Sequence, residues 1–382
     1  MEKPCKHFGQ CGGCSFQDIP YSLQLRRKEE RIKELAAANE IAAELKPINS
    51  YAEWFYRNKM EFGFSTNGGL ICGLYKKGNH QEVVDIEECL IFSTDTGSLL
   101  NKTKEFTTSR SHLHYNKFSY QGFLRNLMIR ETKFTGEIML GLVTTSQETL
   151  DKEGFVKALT SLKLNSQIKA IYHIINDSWS DAVIFEKKEL LYGEPYIQEE
   201  LGGLKFKIGI DSFFQTNPQG IKDLYTKITN YANLTGKERV LDLFCGSGGI
   251  GIFLAKEAKF VWGVELQKEI VEAAWQNANI NALKNISFLA ADVRKFLNSQ
   301  GSFHKDTDIL VINPPRPGLS HKILRGILRL TPKNIFYSSC NPDTFFRDIK
   351  ILSAGYKIKF IEPFDFFPHT PHMECLALLE RV

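Results

Sequence analysis

Cys340 lies in the run Tyr337-Ser338-Ser339-Cys340-Asn341-Pro342, between a short apolar strand, Ile335-Phe336, and a helix expected to start near Asp343. A thiol at the carboxyl end of a strand and the amino end of a helix stands at the crevice where open parallel sheets take ligands. The helix dipole at such a place favours thiolate. Residue type and position therefore suit a nucleophile, against the ordinary alternative of a buried small apolar side chain. Near the carboxyl terminus, Phe367-Pro368-His369-Thr370-Pro371-His372-Met373-Glu374 forms a loop that feeds a strand, with Glu374 at its mouth as a candidate general base. A solvated strand-end charge is the plainer alternative for Glu374, as loop capping or packing is for His369 and His372. Gln215, in Asp211-Ser212-Phe213-Phe214-Gln215-Thr216-Asn217-Pro218, adds an amide at the entrance of the same domain.

A second constellation is made of cysteines. The spacing Cys5-x5-Cys11-x2-Cys14, with the distant Cys89, offers four thiolates. In a chain whose amino terminus has no apolar signal core, eight cysteines are expected to be reduced, so a close set points to metal or catalysis rather than disulfides. Four thiolates suit either zinc or a four-iron cluster, and Gly12 and Gly13 allow the backbone to wrap tightly. Cys72 and Cys375 lie in strand patterns and read as packing residues.

The segment Val240-Leu241-Asp242-Leu243-Phe244-Cys245-Gly246-Ser247-Gly248-Gly249-Ile250-Gly251 is a strand, a glycine turn and a helix start, where small residues let a nucleotide-like ligand approach the backbone. Glu265 ends the next strand, the place for a carboxylate that holds a ribose diol. Gly246, Gly248 and Gly251 satisfy the dinucleotide pattern, so a nicotinamide site is a rival; Asp242 ahead of the glycines resembles S-adenosylmethionine sites more closely. Asn313-Pro314-Pro315-Arg316 follows the apolar strand Ile309-Leu310-Val311-Ile312 and presents a rigid amide to a planar ring. It is similar to the signature of amino-methyltransferases, with Arg316 in place of their stacking aromatic. With Cys340 present, that difference favours carbon over nitrogen methylation.

The elements that must position these residues fall into an α/β pattern. The 382 residues suit two domains, or one domain and a sizeable appendage. Residues 1–47 are expected to form a cysteine-rich loop and an amphipathic helix, and 48–204 a central, mainly antiparallel β domain. Residues 205–382 alternate strand and helix as in a doubly wound, Rossmann-like sheet. No apolar run reaches the roughly 18 to 20 residues of a membrane span, so a cytoplasmic location is expected. The net charge of +4 permits a nucleic-acid partner without demanding one.

Taken together these motifs resemble one family over essentially the whole chain: the iron-sulfur-containing RNA 5-methyluridine methyltransferases. They are most similar to the bacterial 23S ribosomal RNA branch that lacks an amino-terminal RNA-binding barrel. The resemblance rests on the four cysteines, Tyr56-Arg57-Asn58-Lys59-Met60, Val83-Val84-Asp85-Ile86, Leu124-Arg125-Asn126-Leu127 and Ser212 to Pro218. It extends through Asp242 to Gly251, Asn313 to Arg316, Ser338 to Asn341 and His372-Met373-Glu374. It implies that Cys5, Cys11, Cys14 and Cys89 ligate a [4Fe-4S] cluster and that Gln215, Phe244, Glu265 and Asn313 contact S-adenosylmethionine. It also implies Cys340 as nucleophile and Glu374 as base in methylation of carbon 5 of a uridine, with 23S ribosomal RNA as partner and rRNA processing as the process. Many relatives have Asp where this chain has Asn313. The alternatives are the same reaction on transfer RNA and a noncatalytic iron-sulfur RNA-binding protein. No membrane and no obligate protein partner is implied. Arg57, Lys59, Arg125 and Arg130 are expected to meet phosphate, and Arg26, Arg27, Lys28, Arg31 and Lys33 form a basic helix face that either meets RNA or is solvated.

Overall fold

In the computed structural model, which describes residues 5–180, 182–298 and 306–382, two sheets organise the chain. The carboxyl-terminal sheet has eight strands. From edge to edge they are Glu44–Leu45, Tyr356–Phe364, Glu374–Arg381, Asn334–Ser339, Ile309–Ile312, Arg239–Leu243, Phe260–Glu265 and Ile286–Ala290. All neighbours are parallel except where Glu374–Arg381 meets the strands on either side of it. Ile309–Ile312 is buried at every position, as a sheet covered on both faces requires. The helices Pro218–Ala232 and Lys268–Ile280 fill one face through Ile221, Leu224, Val271 and Ala274. His321–Leu330 and Pro342–Leu352 fill the other through Leu324, Ile327, Phe345 and Ile349. This is a mixed α/β fold.

The amino-terminal helix, Tyr21–Ala38, packs with this unit. Its Ile32, Leu35 and Ala36 bury against the second face, and Glu44–Leu45 adds an edge strand beside Phe360 and Ile361. The segment before residue 48, expected as a cysteine-rich loop and an amphipathic helix apart from residues 205–382, thus contributes its helix and edge strand to the carboxyl-terminal core.

The central sheet has seven strands in the order Asn79–Asp85, Leu70–Lys76, Lys59–Thr66, Leu124–Glu131, Glu137–Thr144, Gln167–Ile175 and Lys187–Gly193. It is antiparallel apart from Glu137–Thr144 with Gln167–Ile175. That parallel pair needs a crossover, which the helix Lys152–Thr160 supplies. The hairpin Ile197–Leu201 and Leu204–Ile208 joins the two units. Leu201, Leu204 and Phe206 pack into the carboxyl-terminal core, while Ile197 and Ile208 pack into the central one. The boundary expected between residues 204 and 205 falls inside this hairpin, where a change of pattern in sequence is a change of partner in space.

Candidate active site

Strand order brings distant residues to one edge. Leu243 is in register with Val264 and Ile312, and Ile312 with Tyr337. Phe244, Glu265, Asn313 and Cys340 therefore stand at the carboxyl ends of neighbouring parallel strands, where such sheets form their ligand crevice. Glu374–Arg381 runs the opposite way and pairs Cys375 with Ser339. Its amino end meets the carboxyl end of Asn334–Ser339, which places Glu374 beside Cys340.

Glu374 is 1% exposed. Its Oε1 accepts from the Ser338 hydroxyl, and its Oε2 has no hydrogen-bond partner among the described residues. Burial pushes this carboxyl up to about 7, against the opposing pull of the Ser338 hydrogen bond. Cys340 is only half-buried. Burial raises its thiol, the charge of Glu374 raises it further, and Arg316 lowers it. The dipole expected to favour thiolate here is outweighed by burial and the neighbouring carboxylate. Arg316 reaches the site because its carbonyl accepts from Asn341 Nδ2 at 3.1 Å and from Thr344 Oγ1 at 3.3 Å. Its Nη2 lies 3.2 Å from His372 Nδ1.

The glycine turn forms the other wall. Gly246 has a φ of 53°, and a Cβ there would meet nothing within 4 Å, so the turn faces open space. Glu265 Oε2 accepts from Gly246 N at 3.3 Å and Oε1 from Leu266 N at 2.7 Å, which fixes the acid against the turn. Phe244 holds a left-handed φ of 61°, a conformation non-glycine residues seldom adopt outside a constrained site. Asp242 is buried and pushed up to about 7 by desolvation. Its Oδ2 accepts from Gly251 N at 3.0 Å, so it braces the turn from beneath. Gln215 arrives from another direction: Asn58 donates from Nδ2 to Gln215 O at 2.7 Å and from its backbone N to Thr216 O at 3.0 Å. The backbone of this segment is thus held beside the central sheet. Arg57, Lys59 and the exposed Phe213 line an open cavity of about 520 Å³ beside it.

Two of the four cations expected at phosphate are spent inside the fold. Arg125 donates from Nη1 to Asn176 O at 2.7 Å and Ser178 O at 2.6 Å, and from Nη2 to Ser180 O at 2.5 Å. Arg130 is buried and donates to Ile210 O and Ser212 O. Five fixed donors make arginine a good clamp for loop carbonyls, which a strand pattern in sequence does not reveal. On the amino-terminal helix, Lys28 is buried against Asp365 at 2.6 Å, and Arg31 pairs with Asp343 at 2.7 Å. Neither belongs to a free basic face.

The amino-terminal thiols converge as a set. Cys5, Cys11, Cys14 and Cys89 are all buried and line one cavity, with Phe8, Leu74, Ile86 and Ile91 as apolar wall. Gly12 N donates to Tyr75 O at 2.8 Å, tying the loop to the central sheet. Ser15 N and Phe16 N donate to His369 O at 2.8 and 3.1 Å, tying it to the loop that leads to Glu374. Burial pushes Cys14 up to about 11 and Cys89 up to about 12. Among the described residues, no group of three or more His, Cys, Asp or Glu is arranged to hold a metal ion.

Sequence reasoning did not single out Ser338, Asn58 or Gln24 as site residues. Ser338 carried a signal, a hydroxyl in a strand otherwise fit for full burial. Gln24, which donates to Phe16 O at 2.9 Å and accepts from His369 N at 2.9 Å, lay unmarked in a polar helix.

Known proteins share this sequence and fold. Residues 20–382 match the family model described as tRNA (uracil-5-)-methyltransferase. The whole chain is 39% identical to an uncharacterized RNA methyltransferase of Caldanaerobacter subterraneus subsp. tengcongensis, covering 85% of that protein. It is 40% identical to another from Clostridium tetani, of which it covers 84%. The solved tRNA (uracil-54, C5)-methyltransferase of Pyrococcus abyssi, in complex with S-adenosyl-L-homocysteine, superposes with a TM-score of 0.81 at 31% identity, over 96% of this chain and 85% of that one. With the family model spanning nearly all of it, the chain belongs to the tRNA (uracil-5-)-methyltransferase family and is an RNA (uracil-5-)-methyltransferase.

Proposed function

We propose that this enzyme methylates carbon 5 of a uridine in 23S ribosomal RNA by way of a covalent Cys340 adduct. The observation that carries the chemistry is the antiparallel register that sets Glu374 against Cys340. Carbon 5 of uracil is too weakly nucleophilic to be alkylated unaided. Addition of the Cys340 thiolate to carbon 6 forms a C–S bond and moves the ring electrons into an enolate, which makes carbon 5 nucleophilic. Polar side chains such as Gln215 and Asn313 would stabilise that enolate. S-adenosylmethionine, when bound, supplies the electrophilic methyl group, and Gln215, Phe244, Glu265 and Asn313 are the residues that would hold it. Glu374 then takes the proton from carbon 5, the C–S bond breaks, and the Cys340 thiolate leaves. A carboxyl pushed up to about 7 is well matched to a base working near neutrality. The target base must leave its stack to reach a half-buried thiol, which suits a loop or an opened RNA segment.

Cys5, Cys11, Cys14 and Cys89 are the residues that would hold a [4Fe-4S] cluster. Four buried thiols sharing one cavity have the donor chemistry of such a site. When bound, the cluster would pin the amino-terminal loop through Ser15 and Phe16 to the segment before Glu374.

Transfer RNA is the second candidate substrate, favoured by two observations, the family model described as tRNA (uracil-5-)-methyltransferase and the likeness to the Pyrococcus enzyme named for a tRNA uracil. Mass mapping of 5-methyluridine in RNA from cells with and without this protein separates the two. Loss of the modification from transfer RNA alone would refute the ribosomal assignment.

A further inference from the structure

On the central sheet lies a polar and aromatic cavity of about 250 Å³, bounded by the end of Lys59–Thr66 and the loop before Leu124–Glu131. Its lining includes Tyr75, His80, Tyr115, Lys117 and Phe118 but no Asp or Glu. Around it stand large rings that face solvent: Phe118 is 72% exposed, Tyr120 47% and Trp179 80%. Tyr120 and Trp179 lie with ring centroids 5.6 Å apart.

These rings sit on braced loops. Asn116 Oδ1 accepts from Phe118 N at 2.9 Å and Ser119 N at 3.2 Å, a turn that aims Phe118 outward. Gln147 Nε2 donates to Tyr120 O at 2.7 Å, and Tyr120 is held at a left-handed φ of 58°. Gly122, with φ of 114°, packs so closely that a Cβ would lie 2.1 Å from His114 O. The buried Arg125 binds the carbonyls on both sides of Trp179 and lies 4.5 Å from the centre of the Tyr115 ring. Holding loops in costly conformations while leaving their largest apolar side chains in water is a stability loss with no return in the isolated fold.

We propose that this surface is a second RNA contact, a stacking platform for unpaired bases of the substrate that flank the target uridine. The proposal rests on RNA being the substrate. Exposed aromatic faces interleaved with cationic and amide groups, and free of carboxylate lining, match single-stranded nucleic acid: π-faces for bases, positive charge for phosphate. The location fits as well. The strand from Asn58, which holds the Gln215 segment, to Phe64 at the cavity spans ~20 Å at ~3.3 Å per residue. An RNA strand entering the crevice could continue along this strand to the rings.

The test uses the full-length enzyme with a short single-stranded oligouridylate and with a fully paired RNA duplex of equal length. Phe118→Ala and Trp179→Ala should each weaken oligouridylate binding about 5- to 150-fold. The KM for RNA should rise, with kcat and S-adenosyl-L-homocysteine affinity unchanged, while Trp179→Phe keeps near wild-type affinity. Oligouridylate should also quench the emission of Trp179 in the wild type, a component absent from Trp179→Phe. Absence of that quenching would overturn the proposal whatever the alanine variants do. So would equal losses on duplex RNA, which would mean phosphate contact without stacking, or unchanged RNA affinity, which would leave the rings to a protein partner. If the wild type methylates RNA while the variants keep its KM, only this platform falls. If the wild type methylates no RNA, the substrate assignment itself fails.

Discussion

Cys340 is half-buried between Glu374 and Arg316, whereas Cys5, Cys11, Cys14 and Cys89 are buried together against Phe8, Leu74, Ile86 and Ile91. The thiol chemistry is shared, and the difference is access. A planar ring can reach a sulfur at the mouth of a crevice, and an arginine beside it offsets part of the cost of ionisation. No RNA base can reach the four sulfurs inside the amino-terminal cavity, so their use must be internal. A second contrast follows the same line: Glu374 and Asp242 are both buried, both pushed up to about 7, and each keeps one oxygen without a partner among the described residues, but Asp242 accepts from the backbone amide of Gly251 beneath the glycine turn while Glu374 accepts from the Ser338 hydroxyl beside Cys340.

The contrast breaks most simply at Cys340. Cys340→Ala should lower methyl transfer by ~10⁴-fold or more, while stability changes by no more than ~1 kcal/mol because the side chain is half-exposed. Retained transfer to a defined RNA transcript would sink the covalent mechanism. Glu374→Gln should slow turnover by ~10²- to 10⁴-fold and let the protein–RNA adduct accumulate, visible as a shifted band under denaturing conditions. In the wild type, activity should rise with pH through about 7 as Glu374 ionises.

The same residue sharpens the comparison through stability. Its carboxyl is raised in the fold from 4.5 to about 7, so the stability it contributes is full below pH 4.5 and is lost as pH rises through about 7. Glu374→Gln should therefore be more stable than wild type at pH 8, by up to about 3 kcal/mol. Chemical denaturation at pH 5 and pH 8 measures this, and equal stability of the two proteins at pH 8 would contradict it. Cys89→Ser should remove bound iron and lower Tm by several degrees, whereas Cys340→Ala keeps both. Iron analysis with thermal melts decides, and full iron content in Cys89→Ser would remove the cluster assignment. The smallest effect is expected at Ser338. Its hydrogen bond lowers the Glu374 pKa, so Ser338→Ala should move the acid limb of the pH profile upward, by about one unit or less.

Much of the chemistry was legible because it is written locally. A thiol between an apolar strand and a helix start, a glycine turn with an acid at the next strand end, and cysteines with five and two residues between them keep their spacing in any fold. Arg125 and Arg130 were misjudged for the opposite reason. Their strand context gives charge and alternation but not which loop carbonyls lie within reach, and those carbonyls come from segments 51 to 82 residues away. Lys28 is the same case on a helix, since its partner Asp365 is 337 residues distant. The joint at residues 197–208 was placed only to within its hairpin, because a hairpin whose two ends pack into different cores looks in sequence like either domain.

By itself the sequence determined the inventory: a candidate nucleophile, a candidate base, a glycine turn and a four-thiol set, each carried by residue type, short-range spacing and apolar period. The tertiary structure alone decided which of them meet. Glu374 becomes a partner of Cys340 because one strand is inserted antiparallel between parallel neighbours, so that its first residue lies where its neighbour ends. Strand order and direction are set by how whole helices and strands pack their apolar faces, a property of the assembled core that no local window contains.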